Sequence, residues 1–263
     1  MEKCCNKHAP APNLPAASAN EGPLVDALLG SMSRPDEIIT SLILSPKFLS
    51  VGTEQSMGLS ASLGHLPNEA EQKRLDKVKG SSLKETAALL KDESLFLRSI
   101  GLAALNAGLD RPANYGNAGA GELLREHGEG KRVGIVGHFP FTPDVREFAA
   151  ETMLFELADI PGALPRDQWE DAMARCDIMA ITGTALLTRY MAYYLEHTRH
   201  ALTIVVGPST PLSPVLFEKG ADILCTSKVI DPVSVGEGVQ QGLPFRQLKK
   251  LGIEYVTWAA SEK

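Results

Sequence analysis

Residues 177–207, DIMAITGTALLTRYMAYYLEHTRHALTIVVG, pass from one strand-like run through a helical segment into a second strand-like run. The flanking runs DIMAITG (177–183) and ALTIVVG (201–207) are almost continuously apolar, as strands covered on both faces are. Between them ALLTRYMAYYLEH (185–197) suits a helix. Strand, helix and strand in this order predict a right-handed crossover within a parallel sheet. The alternation recurs on either side. RVGIVGH (132–138), TMLFELAD (152–159) and DILCTSKV (222–229) read as further strands, and RDQWEDAMARC (166–176) as a helix. The C-terminal part is therefore expected to be an α/β domain with a Rossmann-like, doubly wound parallel sheet.

Upstream the pattern is different. PLVDALLGSM (23–32) reads as a short amphipathic helix, and IITSLILS (38–45) and KFLSVGT (47–53) as two strands separated by Pro46. Ser82 with Glu85 three residues on forms a capping box ahead of a helix to Leu90, and SLFLRSIGLAALNAG (94–108) is apolar at helical spacing. The stretch DRPANYGNAGAG (110–121), rich in Gly, Pro and Asn, is the linker candidate. These readings divide the chain into a disordered tail at 1–20, a smaller α+β domain at 21–110, a linker at 111–121 and the Rossmann-like domain at 122–263.

Composition excludes several classes of partner. The chain of 263 residues has 26 Lys+Arg against 32 Asp+Glu, a formal charge of −6, and neither half is basic. No face matches a nucleic-acid backbone or an anionic membrane. No apolar run approaches the 18 or so residues needed to cross a bilayer, and the first residues lack a secretory apolar core. Four scattered cysteines do not make a disulfide framework, so the expected location is cytoplasmic. Cys4, Cys5 and His8 are soft-metal ligand types, but the Pro/Ala/Asn-rich tail around them offers no scaffold for fixed geometry.

In an open parallel sheet, ligands bind outside the carboxyl ends of the strands. The unusual residues of this chain fall there: Gly137-His138-Phe139-Pro140-Phe141, Glu156, Thr182-Gly183-Thr184, Gly207-Pro208-Ser209-Thr210-Pro211 and Asp231-Pro232. The hydroxyls of Thr184, Ser209 and Thr210, placed at helix starts, would sit beside unpaired N–H groups and form anion cradles. His138 has no capping duty and is a candidate ligand contact or general acid/base. Glu156, placed in an apolar strand, needs a cation, a metal or a hydrogen-bond donor. His197, His200, Cys176 and Cys225 read as structural. The GxGxxG, Walker A, HExxH, CxxC and GxSxG patterns are missing where their folds require them, which disfavours a dinucleotide (NAD or FAD) site and the commonest hydrolase sites.

The segments VGHFPF (136–141), ITGTAL (181–186) and GPSTPLSPVLFEKGADIL (207–224), with Asp231, resemble the signature of the "putative heavy-metal chelation" family, a domain of unknown function. Gly58-Leu59 and IGLAALNA (100–107) resemble the enolase N-terminal-like domain that usually precedes it. The resemblance implies that the two pack together with a site between them. It assigns ligand binding to His138, Phe139, Pro140, Thr182, Gly183, Thr184, Pro208, Ser209 and Thr210, with Asn106 approaching from the first domain and Glu156 matching an acidic position. One departure stands out: Thr188-Arg189-Tyr190 occupies the place where relatives carry Asn-Gly-Thr, which is expected to change the ligand's polarity or charge.

The expected function is binding of a small anionic or metal-chelating ligand in the interdomain cleft. His138 and Glu156 would contact a transition metal that arrives with its chelator, since two donors are fewer than a tight protein site uses. The alternative is a lyase- or transferase-type enzyme with His138 as general acid/base. A homo-oligomer is compatible with either, and the sequence leaves the ligand, the metal and any reaction open.

Overall fold

The computed structural model describes residues 18–63 and 67–260; Cys4, Cys5 and His8 lie outside them. The N-terminal part opens with α1 (Glu21–Gly30), which begins two residues before the expected helix. Pro23 has no N–H to give, and the first turn, where amides have no intrahelical partner, tolerates it. A three-stranded antiparallel sheet follows, β1 (Ser41–Leu44), β2 (Phe48–Gly52) and β3 (Met57–Ala61), in that spatial order. Next come α2 (Glu69–Leu75), α3 (Leu83–Ala87) with a 3₁₀ turn at Ala88–Lys91, and α4 (Leu95–Ala107). The Ser82 capping box forms: Ser82 Oγ accepts from Glu85 N at 3.2 Å, and Glu85 Oε2 accepts from Ser82 N at 2.9 Å. α4 is the central helix, buried from Phe96 to Leu105, and β3 lies directly on it.

The C-terminal part holds α5 (Ala120–Gly128), β4 (Arg132–Val136), α6 (Thr142–Phe148), β5 (Glu151–Phe155), α7 (Trp169–Met173), β6 (Ile178–Thr182), α8 (Met191–His197), β7 (Leu202–Val206), α9 (Val215–Glu218), β8 (Ile223–Val229), α10 (Pro232–Gln240), α11 (Phe245–Lys250) and β9 (Ile253–Ala259). The sheet order is β5-β4-β6-β7-β8-β9. All pairs are parallel except β8 with β9, whose antiparallel strand closes the edge. The segment at 110–121 is held to that edge, where Gly116 pairs with Thr257.

Successive strand residues point to opposite faces, and both faces are covered. Val133, Ile135, Leu154, Ile178, Ala180 and Ile204 pack under α5 and α6. Val136, Phe155, Met179, Ile181, Val205 and Leu224 pack under α7, α8 and α9, and this core runs on without a break into α1, α3 and α4. The fold is therefore mixed α/β, a doubly wound sheet with a small α+β unit packed against one of its faces. Among the described residues no helix is long and apolar enough to cross a membrane.

The first five strands of the large sheet run in the order 2-1-3-4-5, so the winding reverses between β4 and β6. In such sheets the crevice outside the carboxyl ends at the reversal is where ligands bind. Here the reversal falls between Gly137, just past β4, and Thr182, the last residue of β6.

Candidate functional site

Each strand end at the reversal leaves the sheet abruptly. β4 and β7 are followed by Gly137 and Gly207 with φ of +97° and +106°, values that side-chain-bearing residues rarely adopt. Gly137 lies so close to β6 that a Cβ on it would be 3.0 Å from Thr182 Cγ2. Gly183 packs still more closely on the next strand end. A Cβ there would be 2.5 Å from Thr210 N, 2.6 Å from Thr210 Oγ1 and 2.7 Å from Ser209 C. The ends of β4, β6 and β7 thus form one continuous rim.

The hydroxyls of that rim pair locally. Thr182 and Thr184 share a hydrogen bond, Oγ1 to Oγ1, of 2.9 Å, and Thr184 N donates to Thr182 Oγ1 at 3.3 Å. Thr184 sits in a 3₁₀ turn (Gly183–Leu186) capped by Thr182, not at the start of an α-helix. Ser209 and Thr210 also differ from expectation: α9 begins only at Val215, because Pro211 biases Thr210 away from the helical region and Pro214 marks the new start. Both are almost wholly buried. Ser209 Oγ accepts from Ala61 N at 2.9 Å, a bond from the end of β3 in the N-terminal unit. Thr210 Oγ1 is buried and has no hydrogen-bond partner among the described residues.

Asn106, near the end of α4, reaches the same strand: its Nδ2 donates to Leu59 O at 2.9 Å, two residues before Ala61. Its Oδ1 is likewise buried without a partner. A buried polar atom left unpaired costs about 1–3 kcal/mol, and two of them occur among residues that the sequence singled out for binding.

His138 is exposed and makes no hydrogen bond among the described residues. Phe139 stacks on Phe141, centroids 4.8 Å apart and planes at 10°, and Pro140 is exposed beside them. Pro208 is half-buried between Gly207 and Ser209. Glu156 departs from expectation: β5 ends at Phe155, so the carboxylate lies just past the strand rather than within it. There Glu156 Oε1 accepts from Leu157 N at 2.8 Å, which supplies the donor its partial burial demands. Burial, together with this carboxylate, holds the Tyr194 phenol well above its ordinary pKa. Asp231 caps α10, its Oδ1 accepting from Val233 N and Ser234 N at 3.1 and 3.0 Å. Cys176 and Cys225 are buried, which raises their thiols to about 12 and about 11. His197 Nδ1 donates to Tyr193 O at 2.8 Å.

The sequence reading missed Lys228. It is the one basic residue inside DILCTSKV, and that was the available signal. From β8 its Nζ donates to Asn106 O at 3.3 Å and Leu109 O at 2.5 Å, at the C-terminal end of α4 where carbonyls lack intrahelical partners. Burial, reinforced by nearby Arg34, pushes its pKa down to about 8. Lys228 thereby anchors the helix end that carries Asn106.

Arg189 is also placed differently from expectation. Its guanidinium turns toward the N-terminal unit, donating to Asp92 O at 2.8 Å, Lys91 O at 3.1 Å and the Glu93 carboxylate at 2.9 and 3.1 Å. Its φ of 63° makes it the only described non-glycine residue in the left-handed region. That is the conformation a glycine takes without strain. Arg189→Gly is expected to be more stable than Arg189→Ala by about 1 kcal/mol, a melting temperature roughly 2–4 °C higher. Both variants lose the guanidinium, and only the glycine relieves the backbone. Equal melting temperatures would show that the backbone is unstrained.

Among the described residues no group of three or more His, Cys, Asp or Glu is arranged to hold a metal. One exposed imidazole and one carboxylate already engaged by backbone amides do not fit a metal held by the protein alone.

Fold and rim together define a class, a small α+β unit bonded to the strand ends of a doubly wound α/β sheet. Just over half of the chain, residues 120–257, matches the DUF364 family model, and residues 25–109 match the DUF4213 model; both bear the description "Putative heavy-metal chelation". The chain belongs to this family. It is similar in structure to a protein of unknown function from the DUF364 family of Desulfitobacterium hafniense DCB-2, with 24% identity and a TM-score of 0.77 over 92% of this chain and 99% of that one. A DUF364-family protein of unknown function from Pyrococcus horikoshii is similar over 90% of this chain and 98% of that one, with 18% identity and a TM-score of 0.70. At these identities the likeness is one of fold. A search of curated proteins finds no match.

Proposed function

We propose that the chain binds a small anionic chelator, carrying its metal, in the crevice between the N-terminal unit and the carboxyl ends of β4, β6 and β7. The observation that carries this reading is the pair of orphaned buried polar atoms, Thr210 Oγ1 and Asn106 Oδ1, on the two sides of a rim joined by the Ala61–Ser209 bond. Unpaired buried groups in a native fold mark places where a partner is expected. The family description is in keeping with a metal as cargo. The Thr182-Gly183-Thr184 and Ser209-Thr210 segments supply hydroxyls for carboxylate or phosphate oxygens. His138, exposed just beyond the end of β4 beside the Phe139–Phe141 stack, is the group we assign to a metal brought in by the chelator.

Calorimetric titration with Cu(II)–citrate, citrate alone and Cu²⁺ alone tests this. The chelate is expected to bind with 1:1 stoichiometry and at least about tenfold more tightly than either component, and Ser209→Ala is expected to weaken it by about tenfold, equivalent to one hydrogen bond of about 1.4 kcal/mol. Tight binding of Cu²⁺ alone, or a chelate affinity that Ser209→Ala leaves unchanged, contradicts the reading.

A further inference from the structure

The seam between the two units holds a second chemical feature, remote in role from the strand-end rim. Glu21, in the first turn of α1, is 4% exposed. Its Oε2 accepts from Ala192 N at 2.8 Å, an amide in the first turn of α8. α8 has no side-chain cap of its own, so an acid from the other unit takes that place. The second carboxyl oxygen, Oε1, is buried without a partner among the described residues.

The charges around Glu21 come from every element packed on it. Glu196 of α8 opposes it and is held by Asn20 Nδ2 at 2.6 Å and Ser18 Oγ at 3.3 Å. Arg189, just before α8, favours ionisation but is bonded to Glu93. Asp26 on α1 is paired with Lys91 of the 3₁₀ turn. α9 presents buried Val215 and Leu216, with its Glu218 exposed. A cavity of about 330 Å³ is lined by Glu21 together with Ser18, Asp26, Lys91 and Arg189.

We propose that Glu21 is a proton-operated clasp: its neutral carboxyl closes α1 onto the first turn of α8, and its ionisation loosens that contact. A neutral carboxyl still accepts from Ala192 N through one oxygen and leaves only a hydroxyl at the unpartnered position. An ionised one buries charge on an oxygen with no donor. Burial raises the pKa of Glu21 from 4.5 to about 7, despite the Ala192 and Met191 amides and Arg189. A raised pKa means that the closed seam binds a proton which the open seam does not. Closure is therefore strongest below about pH 4.5, weakens as pH rises toward 7, and changes no further above it. The clasp stands independently of the ligand reading, and its test uses no ligand.

Hydrogen exchange of the full chain between pH 5 and pH 8.5, corrected for intrinsic rates, reads this directly. Protection of the Ala192 amide relative to Val205 in β7 is expected to fall on the order of 100-fold from pH 5 to 7.5 and then level off. Glu21→Gln, permanently neutral and still an acceptor, is expected to abolish that dependence. Carbon-13 titration of the wild-type carboxyl is expected to give a midpoint near 7, which keeps the test intact if the variant does not fold. A midpoint in the ordinary carboxylate range overturns the clasp. So does Ala192 protection that is flat with pH, or that falls in step with Val205.

Discussion

Gly58→Ala is expected to destabilise the chain by at least about 3 kcal/mol, lowering its melting temperature by roughly 6–12 °C or preventing folding. β3 crosses α4 at this glycine. A Cβ would press into Ala103 O and Ala107 N and approach Asn106 C to 2.8 Å. All three are backbone atoms of one helix, so no side-chain rotation relieves the clash, and strand and helix must separate. Separation would also stretch the Asn106–Leu59 and Ala61–Ser209 bonds that join the N-terminal unit to the rim. Thermal unfolding beside Gly30→Ala, where an added methyl meets nothing within 4 Å, provides the comparison. A melting temperature within about 2 °C of wild type would mean that β3 does not rest on α4 as described.

Gly183→Ala is expected to impair binding as well as stability. The new Cβ would lie 2.5–2.7 Å from the backbone of Ser209 and Thr210 and from the Thr210 hydroxyl. The loops after β6 and β7 must then part, at a cost of about 1–3 kcal/mol. Since Thr182–Thr184 and Ser209–Thr210 are proposed to grip one ligand, parting them should weaken chelate binding by at least about 100-fold while the variant stays folded. The check is calorimetry on the variant after its circular dichroism has been shown to match wild type. A folded variant that binds like wild type would detach the rim from the function.

How much of this was legible depended on what kind of signal each element carries. The five parallel strands are buried on both faces, so their apolar runs stood out, and the rule linking strand ends to ligands selected Gly137, Thr182 and Ser209 from the sequence. β3 escaped because MGLSA is short and small in side chain; its burial comes from lying on α4, a tertiary fact. β9 escaped because IEYVTWA, an edge strand, mixes Glu254 and Thr257 among its apolar residues. α2 and α5 are short helices rich in charge, and α5 follows directly on a glycine-rich segment that reads as linker.

At the candidate site, the side chains gathered at the strand ends were readable and the backbone bonds among them were not. Nothing in a sequence marks the Ala61 amide as the donor to Ser209, or an arginine as sitting in a glycine's conformation. Thr210 and Ser209 invited a reading as helix starts, and the two prolines that follow postponed the helix. Glu21 looks like any acid in a helix's first turn, and only the fold reveals that its partner is the first turn of a different helix.

Ligand is proposed to enter the crevice at the winding reversal. A crystal structure of the chain saturated with Cu(II)–citrate, with anomalous diffraction recorded at the copper edge, tests it most directly. One strong copper peak is expected outside the carboxyl ends of β4 and β6, with citrate oxygens on Thr184 and the Ser209–Thr210 segment and His138 facing the metal. A peak elsewhere on the molecule, with the crevice closed in the same crystal, would contradict it.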